Sequence, residues 1–196
     1  MLRIATLAAA LLAAAPALAN EVGITRDMRT VTVPTPDGEV VIERNQNTEA
    51  KLDGDFARTS RPCPPFCIQE MTPAEGVTTV GELELIELLK DPETLVIDSR
   101  THDWFAGGTI PGAVNMPWNR ISDQLGELGC EVGFDGWECE DAKPVALFCN
   151  GPWCGQSPTN IKALVALGYP ADKIYWYRGG MQLWRLLGLT VVKPGS

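Results

Sequence analysis

The stretch KPVALFCNGPWCGQSPTNIKALVALG, residues 143–168, decides the fold. Its opening, up to Cys149, is almost continuously apolar, the pattern of a strand covered on both faces. A turn-rich segment with Gly151, Pro152 and Gly155 follows, carrying a second cysteine, Cys154. Ser157 then reads as a helix N-cap, with Pro158 at the first helical position, where a missing N–H costs nothing. Ile161, Leu164, Val165 and Leu167 give that helix an apolar face, and Gly168 ends it. Strand, loop and helix in this order form half of a crossover unit in a parallel sheet.

The same pattern recurs outward in both directions. TLVID (94–98), AVNM (113–116) and KIYWY (173–177) read as further buried strands. Thr79-Val80-Gly81-Glu82 has capping-box spacing, and LELIELLK after it is amphipathic at helical intervals. NRISDQLGEL (119–128) and GGMQLWRLLG (179–188) are predicted helices, and LTVV (189–192) a candidate edge strand. Residues 72–196 are thus expected to form one α/β domain, a mainly parallel sheet with helices on both faces. Residues 20–71 read as an N-terminal β-rich extension. In it RTVTVPTPDGEVVIER (29–44) is a hairpin, residues 44–62 a polar linker and CPPFC (63–67) a turn.

Residues 1–19 have the form of a secretory signal peptide: Arg3, an apolar run from Ile4, and Ala17-Leu18-Ala19 before an expected cleavage after Ala19. A membrane anchor is the alternative, but the run contains Pro16 and falls short of the ~20 apolar residues that span a bilayer. No membrane span is expected once the leader is removed, and the protein is placed in the periplasm or outside the cell. The formal net charge is −9, and it becomes −10 when Arg3 leaves with the leader. Such a surface repels nucleic acid, and there is no basic run.

In an oxidising compartment disulfides persist. Cys130 and Cys139 flank a closable loop and are expected to pair, while Cys63 and Cys67 pair across two prolines or share a zinc site with Cys149 and Cys154. Cys149 leaves the carboxyl end of a buried strand, where α/β sheets place ligand sites. Loop and helix-start N–H groups there favour an anion. The single histidine, His102, is expected to be solvated at a helix start.

VIDSRTHDWFAGGTIPGAVNMP (96–117) carries Asp98, Arg100, Phe105, Gly108, Ile110, Pro111, Gly112, Ala113, Asn115 and Pro117. With Ala-Leu-Gly-Tyr (166–169) and Arg-Gly-Gly-Met-x-x-Trp (178–184), this resembles a rhodanese-like domain over about residues 75–193. The resemblance implies a sulfurtransferase, without a metal or other cofactor, that carries sulfane sulfur as a persulfide on Cys149. Asn150, Gly151, Pro152, Trp153, Cys154, Gly155, Gln156 and Ser157 would form its cradle. A small sulfur-containing substrate or a periplasmic thiol protein would be its partner.

Two departures qualify the likeness. Cys154 stands where such loops carry Arg or Lys, leaving Arg100 and Arg178 as candidate anion contacts, and Thr109 replaces a common histidine. A thiol at Cys154 is also placed to resolve a modified Cys149, which makes a thiol–disulfide relay the second reading. A binding module with only structural cysteines is the third. Trp153, Trp118 and Trp176 are candidates for lining a pocket mouth. Chemistry at Cys149 requires its sulfur to face solvent and to ionise near neutral pH.

Overall fold

A computed structural model describes residues 21–194; the expected leader and cleavage site lie outside the described residues. The chain opens with an antiparallel hairpin, β1 (Val31–Thr35) and β2 (Gly38–Ile42), as the alternation predicts. After the linker come β3 (Thr78–Val80), α1 (Glu82–Lys90), β4 (Leu95–Asp98), α2 (His102–Ala106) and β5 (Val114–Asn115). A small hairpin, β6 (Glu131–Val132) and β7 (Trp137–Glu138), precedes β8 (Val145–Phe148), α3 (Gln156–Ala166), β9 (Ile174–Tyr177) and α4 (Gly180–Leu186).

Five strands form one parallel sheet in the order β3-β9-β8-β4-β5. Successive side chains on a strand point to opposite faces, and the central strands feed two cores. Ile97, Val145, Leu147 and Trp176 pack with Ile161 and Leu164 of α3. Val96, Ala146, Phe148 and Tyr177 pack with Leu85, Ile86 and Leu89 of α1 and with Met181 and Trp184 of α4. The expected fold class is therefore the observed one. The extension, however, is no loose appendage: Val33, Ile42 and Phe56 are buried within the second core.

Four local expectations are corrected. Thr79 and Val80 pair with Trp176 and Tyr177 at the sheet edge, so α1 is capped two residues later, where Glu84 accepts the Gly81 N–H at 3.0 Å. Helix α3 begins at Gln156, with Ser157 inside its first turn rather than at the cap. Pro158 still falls where helical N–H groups lack partners, so it costs nothing. NRISDQLGEL forms two 3-10 turns, Ile121–Asp123 and Leu125–Leu128, which bury Ile121, Leu125 and Leu128 without a continuous helix. LTVV makes only isolated bridges, Arg44 with Leu189 and Thr109 with Val192.

Cys63–Cys67 and Cys130–Cys139 are disulfides, and Cys149 and Cys154 are free thiols. The first disulfide removes two of the four thiolates that a shared zinc site requires. His102 is exposed on α2. Among the described residues no helix is long and apolar enough to cross a membrane.

Candidate active site

The loop between β8 and α3 is fixed from three sides. Its carbonyls at Cys149 and Asn150 accept the N–H groups of Met181 and Gln182, both at 2.9 Å. That approach brings Gly180 so close that an added Cβ would lie 2.7 Å from the Gly151 nitrogen, and its φ of +56° is one that side chains rarely adopt. Behind the loop, the buried Asp98 carboxylate accepts from Arg100 Nε at 2.8 Å and from the Thr109 hydroxyl at 2.8 Å. Arg100 also donates to the Gly108 carbonyl at 2.8 Å and to Asn150 Oδ1 at 3.4 Å. A buried charge persists only when paired, and here the pair anchors the loop from below. From the extension, the Gln69 N–H donates to the Pro152 carbonyl at 2.8 Å, and Arg178 donates to the Gln69 carbonyl at 2.9 Å.

Both candidate arginines already have protein partners. Arg100 is spent on Asp98, and Arg178 holds the extension against the sheet rim. Trp176 is likewise buried, its indole N–H donating to the Ser157 hydroxyl at 3.0 Å. Trp118 and Trp153 do line a cavity beside the loop.

The two thiols are in contact, and they differ. Cys149 is only 2% exposed; its sulfur lies 3.2 Å from the Cys154 carbonyl and accepts the Ser157 hydroxyl at 3.1 Å. Burial pushes the Cys149 thiol well up, and the neighbouring Cys154 sulfur adds to this; the Ser157 hydroxyl and N–H oppose it. Cys154, 5% exposed, is lowered to about 7, first by the hydrogen bond from Cys149, then against burial by the N–H groups of Gln156 and Asn150 and by the charge of Arg100. The expectation of a solvent-facing, ionised Cys149 is thus corrected. Cys154, the thiol of the pair that is held lower, lines the cavity.

That cavity, of about 430 Å³, is closed on its far side by Arg58, Arg61 and Phe66 of the extension. Arg61 lies 3.8 Å over the Trp153 ring, and Phe66 meets the same ring edge-on at 5.5 Å. The sequence reading passed over these three residues. Arg58 and Arg61 sit in a polar stretch without periodicity and Phe66 in the CPPFC turn, and only tertiary packing brings them to the loop.

The rhodanese-like domain family matches residues 82–187, more than half of the chain. The chain belongs to that family. It is 27% identical over 120 residues to the HTH-type transcriptional regulator Rv0324 of Mycobacterium tuberculosis, covering 61% of this chain and 46% of the regulator. The chain therefore spans about half the length of that curated relative. Among solved structures, a thiosulfate sulfurtransferase from Pseudomonas aeruginosa is 21% identical with a TM-score of 0.48, covering 61% of this chain and 21% of that one. A rhodanese-related protein from Thermoplasma volcanium is 23% identical with a TM-score of 0.44, covering 59% and 97%.

Proposed function

We propose that the chain is a sulfurtransferase-type protein that carries sulfane sulfur as a persulfide on Cys149, with Cys154 as the entry thiol. The observation that carries this is one loop that sets a cavity-lining thiol, Cys154, beside a buried one, Cys149. The Cys154 thiolate attacks the sulfane sulfur of a donor, whose sulfur–sulfur bond breaks and whose remainder leaves with the electron pair. Cys149 then attacks the outer sulfur of the Cys154 persulfide. As the sulfur passes to Cys149, the Cys149 proton passes to Cys154, so neither an oxidant nor a reductant is consumed. The Ser157 hydroxyl and N–H stabilise the resulting anion. Export to an oxidising compartment belongs to the same reading and is supported by the two disulfides. The partner is a small sulfur compound or a thiol protein there.

The thiol contact also favours a second reading. Attack of Cys149 on the inner sulfur of a Cys154 mixed disulfide would close a Cys149–Cys154 bond and release a thiol, which is a redox relay. One experiment separates the two. Protein with both loop thiols free is treated with inorganic polysulfide, alkylated and peptide-mapped. Transfer predicts one added sulfur on Cys149, and on Cys154 in Cys149→Ser. A reversible Cys149–Cys154 bond without added sulfur would establish the relay, and inertness of both thiols would end both readings.

A further inference from the structure

We propose that the cavity against Cys154 takes an organic thiosulfonate, an apolar or aromatic body bearing one anionic sulfane-sulfur end, in preference to inorganic thiosulfate. This rests on the sulfur-transfer reading above. At about 430 Å³ the cavity falls in the size class of small-molecule pockets, roughly 300–1,000 Å³. Phe66, Trp104, Trp118 and Trp153 line it. A tetrahedral inorganic ion has no apolar surface to bury against those rings, whereas an aryl body does.

Charge points the same way. Two guanidinium groups, Arg58 and Arg61, share one carboxylate, Asp55, at 3.3 and 3.8 Å, and with Cys154 as thiolate the wall carries no net positive charge. Such a wall offers no counter-charge for a dianion such as thiosulfate, and it opposes a monoanion such as a thiosulfonate less. Arg61 lies over the Trp153 ring with only 6% of its side chain exposed, and its Nε has no hydrogen-bond partner. Buried polar groups are ordinarily satisfied, and sulfonyl oxygens supply the missing acceptor. In the reaction, the Cys154 thiolate attacks the outer sulfur of the donor. The sulfur–sulfur bond breaks, the sulfinate leaves with the electron pair, and the persulfide stays on the protein.

The test uses the full chain with both loop thiols reduced, loaded with benzenethiosulfonate or with inorganic thiosulfate and followed by intact mass. Loading by the aryl donor is expected to be about tenfold faster or more, the effect of burying part of a ring. Phe66→Ala and Trp118→Ala, both at partly exposed positions, should bring the ratio of the aryl to the thiosulfate rate most of the way to one. Equal rates for the two donors, or an equal loss for both in the variants, would overturn the inference. Binding is read separately by calorimetry on Cys154→Ser with benzenesulfonate, a non-transferring analogue, against sulfate. Tighter binding of benzenesulfonate with no sulfur gained by the wild type would sink the transfer reading and uphold the ligand class. Transfer without that difference in affinity would do the reverse.

Discussion

Ser157 has two fixed partners. The Trp176 indole N–H can only donate, and it donates to the Ser157 oxygen, so the hydroxyl proton is left for the Cys149 sulfur. Ser157→Ala should therefore weaken any anion on Cys149 and leave the Cys154 environment intact. We expect it to slow sulfur transfer roughly 10- to 150-fold, since a hydrogen bond to a charged group contributes roughly 1.5–3 kcal/mol, with no shift in the Cys154 alkylation profile. A shift of both together would mean a collapsed loop instead. Iodoacetamide mapping reads the pair directly. Cys154 should react first, with its rate rising through pH 7 to a plateau, while Cys149 stays protected until strong alkali. Cys149→Ala removes the S–H donor that lowers Cys154 most, so the midpoint should move up toward the ordinary 9.0. A midpoint that stays near 7 would contradict this account. The position of the reactive loop was legible from strand, turn and helix signals. Which of its two thiols is held lower was not, because burial and the hydrogen bonds around each sulfur are properties of the folded site.

The N-terminal hairpin shows how much an element's sequence leaves unsaid. Its alternation and its Pro-Asp-Gly turn made both strands readable, yet nothing local says what the apolar face covers. In the structure Val33 and Ile42 fill space beside α1 and α4, the helix whose first turn clamps the reactive loop. Ile42→Ala should cost about 2–5 kcal/mol, the range for truncating a buried aliphatic chain, measured as a drop in the urea midpoint. A loss under about 1 kcal/mol, the level of an exposed site, would mean that the hairpin is not part of the core. The long buried strands and the well-marked helix α3 were readable for the same reason: their signal lies in spacing. The 3-10 turns at 121–128 were not, since three buried residues at helical spacing fit either geometry.

At the scale of the described chain, the extension and the α/β domain share one hydrophobic core, and the candidate site lies where they meet. Titration should therefore report on global stability. Cys149, Tyr169 and Tyr177 are all raised, in each case chiefly by burial, and Tyr177 further by the Glu82 carboxylate that accepts its hydroxyl at 2.9 Å. Their ordinary values are 9.0 for the thiol and 10.0 for the phenols. The folded chain keeps these protons where the unfolded chain has released them, so their contribution is complete below pH 9 and is lost as pH climbs. Cys154 has the opposite sign. Its folded value near 7 lies under the ordinary 9.0, so its contribution is present above pH 9 and is lost as pH falls toward 7. The urea midpoint of reduced-loop protein should rise from pH 7 to 9 and fall beyond it. Cys154→Ser should flatten the rising limb, and Tyr177→Phe should make the falling limb shallower. A wild-type midpoint that is level between pH 7 and 9 would show that the Cys154 thiolate is not stabilised by the fold, and the entry role assigned to it would go as well.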